Sequence, residues 1–146
     1  MRSVKQASVN DLDQLVPLFD GYRQFYQQNS DPEGARMFLQ DRMQRNESVI
    51  FISMEHGEAT SFTQLYPIFS SVSLKRAWLL NDLFVRPDAR KGGAGSLLLE
   101  RAKDWGRETG ARWLLLSTGC ENFTAQSLYE KNGWKKVSDI YYEFVL

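Results

Sequence analysis

Residues 82 to 98 read DLFVRPDARKGGAGSLL: an apolar run enters a turn holding Pro87 and Asp88, and Gly92, Gly93 and Gly95 then open a Leu-rich segment. The first part has the character of a strand and the last of a helix, so the stretch is a strand-turn-helix junction. Each glycine inside a helix costs about 0.8–1.0 kcal/mol relative to alanine. Helix stability therefore does not explain three of them. A helix amino terminus presents unpaired N–H groups and a partial positive charge, which suits a phosphate, and a residue without Cβ lets that phosphate reach the backbone. GxxxxGK[ST] is absent, and after Gly93 and Gly95 the third glycine of GxGxxG falls on Leu98, so neither of those phosphate loops is present.

Upstream of the junction, RAWLLNDLFVR is almost continuously apolar, as expected of a strand near the middle of a sheet. Before it, SVIFISME, a turn at HGE and ATSFTQLYPIF predict an antiparallel hairpin. MRSVKQAS suggests a short first strand, and Ser8 to Asp11 has the form of a capping box with Asp in the Glu place. A helix is expected over residues 10–28, where Leu12, Leu15, Val16, Phe19, Tyr22 and Tyr26 recur at helical steps. Asp31 and Pro32 then restart a helix as N-cap and first helical residue, with Phe38, Leu39 and Met43 on its apolar face. Downstream, the glycine turn leads into a helix through Trp105. A strand at RWLLLST, a helix at FTAQSLYEKN and a final strand pair within GWKKVSDIYYEFVL follow. No repeat or linker interrupts this order, which predicts one α/β domain over residues 1–146.

The composition narrows the function. Among 146 residues, 18 basic and 18 acidic side chains balance, which argues against a nucleic-acid partner. The balance is uneven along the chain: residues 1–60 sum to −3 and residues 61–146 to +3, hinting at an anionic ligand in the second half. Cys120 is the single cysteine and His56 the single histidine, so no internal disulfide and no Cys/His metal cluster is expected. His56 reads as a turn residue, unsuited to a Ser-His-Asp site. With no signal-like start and no apolar run near the 18 residues of a membrane span, no membrane partner and a cytoplasmic location are expected.

What does fit the junction is RxxGxG, spelled Arg90, Lys91, Gly92, Gly93, Ala94, Gly95, directly after a VxP turn at Val85 and Pro87. About 30 residues on, ENFTAQSLYEKNGW follows the pattern NxxAxxxYExxGF through Asn122, Ala125, Tyr129, Gly133 and the aromatic Trp134. Together the two motifs resemble the GNAT superfamily of acyl-CoA-dependent N-acetyltransferases, in wording nearest the branch that acetylates polyamines and lysines. The resemblance is strong over residues 76–136. It implies a GNAT-like fold, a mixed central sheet of six to seven strands flanked by four helices, with acetyl-CoA as co-substrate.

By that resemblance, the backbone of Leu83, Phe84 and Val85 pairs with the pantetheine arm, and the N–H groups of Lys91, Gly92, Gly93, Ala94, Gly95 and Ser96 hold the pyrophosphate. Arg90 either touches phosphate or is a solvated turn residue. Asn122 either hydrogen-bonds the arm or caps the helix that follows it. The reaction is direct attack of a primary amine on the thioester. Such an amine has a pKa near 10.4, so about one molecule in 2,500 carries a free lone pair at pH 7 and a proton must be removed. Asn81 stands where the family often has glutamate, able to orient water but not to accept the proton. Asp82, next in the chain, either takes it or fixes a loop. Tyr129 is the expected acid toward the departing thiolate, with plain packing as its other reading. Cys120 has no histidine nearby in sequence and is not expected to act as a nucleophile.

The acceptor is expected to be a small-molecule amine or a lysine-containing peptide. It would lie in a groove lined by Tyr22, Phe25, Tyr26, Tyr66 and Phe69, with Asp20, Asp31 and Glu33 near a cation. A non-catalytic CoA-binding module and an aminoglycoside-type resistance enzyme are the alternatives. A homodimer is expected from family habit and from the apolar C-terminal stretch YYEFVL.

Overall fold

The computed structural model describes residues 2–146. In chain order the elements are β1 (Arg2–Gln6), α1 (Leu12–Phe25), α2 (Pro32–Gln44), β2 (Val49–Glu55), β3 (Glu58–Ser70), β4 (Lys75–Val85), α3 (Ala94–Glu108), β5 (Leu114–Leu115) and α4 (Phe123–Lys131). The strands form one sheet in the order β1-β2-β3-β4-β5, antiparallel throughout except for the parallel β4–β5 pair.

Local signals act where they were expected. Ser8 and Asp11 form the capping box, with Ser8 N–H donating to Asp11 Oδ2 at 2.8 Å. The chain passes through a short 3-10 turn before α1, which is accordingly shorter than the 10–28 expectation. Asp31 caps α2 by accepting from Gly34 N–H at 2.9 Å, and Pro32 is its first residue. Only His56 and Gly57 separate β2 from β3, and both have positive φ, the geometry of a tight two-residue hairpin turn.

Two apolar clusters cover the two faces of the sheet. On one, Leu15, Phe19 and Leu39 from α1 and α2 pack on Ile50, Ile52, Phe62 and Phe84. On the other, Leu98, Leu99 and Ala102 from α3 pack on Phe51, Leu65, Trp78 and Leu80. A β-bulge explains why Leu80 and Phe84 lie on opposite faces although they are four positions apart. Gln64 pairs with Asp82 and Leu65 with Leu80, which leaves Asn81 as the extra residue of β4. The alternation changes phase there, so Asp82 and Phe84 face α1 while Trp78 and Leu80 face α3.

The α/β class and the four helices agree with expectation, but among the described residues the sheet has five strands, not six or seven. Strand geometry in RWLLLST is limited to Leu114 and Leu115, and residues 134–146 contain no helix or strand. Their apolar alternation supplies propensity, but a strand is completed only by a neighbour's hydrogen bonds, and none is in place beside them.

Candidate active site

The three glycines of the junction do three different things. Gly93 is the N-cap of α3 with φ of 87°, a left-handed conformation that glycine adopts without a Cβ clash. Gly95 is buried, and a Cβ there would stand 3.1 Å from Leu128, so its lack of a side chain lets α4 approach α3. Gly92 is exposed, and its carbonyl accepts from the Arg2 guanidinium, which also pairs with Glu55. The first hydrogen bond of α3 runs from Leu97 N–H to Gly93 O at 3.1 Å, so the amides of Ala94, Gly95 and Ser96 have no intrahelical acceptor. Lys91 adopts φ of 67° and is exposed. Together the turn and the first helical residues offer a run of N–H groups at the positive end of a 15-residue helix.

Beside the turn, β4 is paired on one side only. Ser61, Phe62 and Thr63 of β3 pair with Val85, Phe84 and Leu83, whereas β5 reaches β4 only at Trp78 and Leu79. Among the described residues no strand lies against the β5-facing edge of Leu83, Phe84 and Val85, which is left open to an extended ligand. Arg90 turns back on this strand: its Nε donates to Val85 O at 2.9 Å and its guanidinium lies 5.7 Å from the Phe84 ring centroid. Asn122 is the N-cap of α4, accepting from Ala125 N–H at 3.2 Å.

Asp82 is 2% exposed, turned toward α1 by the bulge. Its carboxylate accepts from Gln64 Nε2 and, at 2.7 Å, from Asn81 Nδ2. The Tyr22 hydroxyl donates to Asn81 O at 3.1 Å. Burial raises the Asp82 pKa above its ordinary value, and the donors Asn81, Gln64 and Tyr22 hold back part of that rise. Burial likewise pushes the Tyr22 and Tyr66 phenols up, and the Asp82 charge adds to both shifts. These phenols stay protonated at neutral pH.

Tyr129, on α4, is half-buried, its ring 6.4 Å from that of Trp134. Its pKa is raised by burial and secondarily by Tyr26, whose ring lies 5.0 Å from that of Tyr22.

Some expected acceptor residues have other duties. Asp20 is buried and accepts from the Ser30 hydroxyl at 2.6 Å and Asp31 N–H at 2.8 Å, so it braces the α1–α2 connection. Asp31 is committed to its cap. Conversely, Gln64 and Arg2 are site neighbours that no motif marks. A glutamine within an otherwise small and apolar strand was a faint signal for the first; nothing local marks the second, which meets Gly92 only through the tertiary fold.

An α/β sheet that bares the edge of a central strand beside a glycine-opened helix is the frame of an acyl-CoA N-acyltransferase. Comparison with known proteins gives the family: the model of the acetyltransferase (GNAT) family matches residues 15–134. An uncharacterized N-acetyltransferase of Bacillus subtilis, YhfO, is 52% identical over 134 residues, covering 92% of this chain and 90% of that protein. The crystal structure of a probable acetyltransferase superposes with a TM-score of 0.92 at 41% identity, covering 99% of this chain and 97% of that one. Aminoglycoside N-acetyltransferase AAC(6')-Iy in complex with CoA shares the fold at a TM-score of 0.85 and 18% identity, covering 99% of this chain and 95% of that one. The chain belongs to the acetyltransferase (GNAT) family and is an N-acetyltransferase.

Proposed function

We propose that the enzyme moves the acetyl group of acetyl-CoA directly onto a primary amine of a polyamine-like small molecule or a lysine side chain, without a covalent enzyme intermediate. In this reading the amides from Lys91 to Ser96 hold the pyrophosphate and the open edge of Leu83, Phe84 and Val85 takes the pantetheine arm as an added strand. CoA in the AAC(6')-Iy complex supports acetyl-CoA as the donor. The observation that carries the acceptor side is the buried Asp82 carboxylate, ringed by Asn81, Gln64 and Tyr22. An ammonium group is drawn to such a charge, and a carboxylate of raised pKa is a better base than one in water.

The ammonium proton passes to Asp82, directly or through a water held by Asn81. The freed lone pair forms the new C–N bond as the C–S bond breaks; the sulfur keeps that electron pair and takes the Tyr129 proton, the surplus proton on the new amide nitrogen passes through water to the Tyr129 phenolate, and Asp82 releases its proton to solvent. The alternative of an aminoglycoside acceptor uses the same chemistry and differs in the groove. A panel of polyamines, lysine peptides and aminoglycosides, assayed with acetyl-CoA by thiol release, separates them. Turnover confined to aminoglycosides would overturn the acceptor assignment. Acetyl-CoA at about a hundred times its Kd is expected to add roughly 2.7 kcal/mol of stability, a Tm rise of about 5–11 °C. Identical melting curves with and without it would remove the donor assignment.

A further inference from the structure

The glycine turn before α3 is held from the far side of the sheet. β1 is the outermost strand, separated from β4 by β2 and β3. Arg2 opens β1 and stands in register with Glu55, the last residue of β2. Directly opposed residues share a face of the sheet. Val4, two residues on from Arg2, packs in the cluster of Leu98 and Leu99, so that face is the one α3 covers. One terminal nitrogen of the Arg2 guanidinium donates to Gly92 O and the other pairs with Glu55, while Nε is buried. Among the described residues no other side chain hydrogen-bonds the backbone of Lys91, Gly92 or Gly93.

Peptide geometry says what this contact does. The peptide between Gly92 and Gly93 is trans, so its carbonyl and its N–H point in opposite directions. With Gly92 O held toward Arg2, Gly93 N–H is aimed away from it. Left-handed residues flank this peptide, Lys91 with φ of 67° and Gly93 with φ of 87°. Turns of this kind gather successive N–H groups into a concavity that suits an anion, but they have no helical ladder to fix each peptide plane. Arg2 supplies that constraint, and a donor on the carbonyl also polarises the N–H of the same peptide. The same contact accounts for the glycine. Gly92, unlike Gly93, has no positive φ, so its backbone does not call for glycine. A Cβ at Gly92 would stand 2.5 Å from Arg2 Nη2. The flexible tip of Arg2 could move aside at little steric cost, but the fork on Gly92 O and Glu55 would be broken.

We propose that Arg2 is a positioning residue for the donor: held by Glu55, it fixes the Gly92 carbonyl and so aims the Gly93 amide at the pyrophosphate. This rests on the reading that the amides from Lys91 to Ser96 take the pyrophosphate, and the test separates the two by comparing acetyl-CoA with S-acetyl-pantetheine, a thioester donor that has no pyrophosphate. The wild type is expected to show the lower KM for acetyl-CoA. Arg2→Ala is expected to raise that KM about tenfold, the scale of one charge-assisted hydrogen bond, with kcat at saturation and the kinetics on S-acetyl-pantetheine retained. Arg2→Lys keeps the charge but cannot span Gly92 O and Glu55 together, so its KM for acetyl-CoA should rise as well. Gly92→Ala, which displaces the guanidinium, should raise KM by a similar factor in the wild type and add nothing in the Arg2→Ala background. A loss shared by both donors, an Arg2→Lys variant equal to the wild type, or a Gly92→Ala effect of the same size in both backgrounds would overturn the positioning role. A wild type with equal KM for the two donors would overturn the pyrophosphate reading, and this inference with it.

Discussion

The donor and acceptor ends of the site are built from different materials. At the proposed donor end the available groups are backbone: amides freed by a helix start, and a strand edge freed because β5 pairs only at Trp78 and Leu79. At the proposed acceptor end they are side chains drawn from three elements, Tyr22 of α1, Gln64 and Tyr66 of β3 and Asp82 of β4, with Tyr129 of α4 proposed to serve the leaving sulfur. Backbone ligation depends on conformation and tolerates most side-chain changes. Side-chain ligation fails with a single atom. Substitutions at the acceptor end should therefore cut turnover sharply, and those at the donor end should weaken binding by degrees.

The largest loss is expected from Asp82→Asn, on the order of 10²–10⁴-fold in kcat, the range of general-base catalysis. The fold should persist, because Gln64 Oε1 has no hydrogen-bond partner and can turn to accept from the new amide. In the wild type, kcat/KM should rise with pH through a midpoint above the ordinary 3.8 of Asp, and this limb should vanish in the variant. Stability carries the opposite sign. The folded state holds the Asp82 proton more tightly than the unfolded chain, so the contribution of this residue falls as pH rises from 3.8 through the raised value. Urea midpoints across that range should decline more steeply for the wild type than for Asp82→Asn.

Tyr129→Phe keeps the ring against Trp134 and removes the proton donor. About a hundredfold loss in kcat is expected, roughly 2.7 kcal/mol, with acetyl-CoA affinity little changed. Wild-type turnover under conditions where chemistry is rate-limiting would make the phenol a packing group. At the donor end, Lys91→Asp puts a carboxylate among the free amides at a left-handed position that Asp tolerates. About a tenfold rise in acetyl-CoA Kd is expected, with Lys91→Asn nearer the wild type, as titration calorimetry would resolve. Equal affinities would move the pyrophosphate away from the turn. Smallest is Gly95→Ala: Leu128 must yield a few tenths of an ångström to the new Cβ, and a stability loss of about 1 kcal/mol is expected by denaturant titration, with binding retained.

That contrast also governs what could be read without coordinates. The glycine turn, the Asp31–Pro32 helix start and the Ser8–Asp11 box are legible because each is a conformational demand met within a few residues. Asp82 is legible as a candidate, but its Gln64 and Tyr22 neighbours are fixed by cross-strand register and helix packing, which periodicity does not report. Asp20 misleads for the same reason: its partners, Ser30 and Asp31, belong to the connection that the sequence shows only as a break. Gly95 points to phosphate by position, yet its burial against Leu128 shows a second demand, close helix approach. The expected final strand pair is absent because strand identity belongs to a pair of segments, and residues 134–146 have no partner in the single chain.

The bulge at Asn81 works like a reading-frame shift within β4. Every residue after it is displayed on the face opposite to the one that uninterrupted alternation from Trp78 would assign. Were β4 to keep all its residues and run without the bulge, the Asp82 carboxylate would face the oily layer of Leu98 and Leu99 and Leu83 would face Tyr22. Deleting Asn81 would instead leave Asp82 turned toward α1, because Leu80 and Asp82 then become neighbours in plain alternation, and would remove only the amide that donates to Asp82 and the carbonyl that accepts from Tyr22.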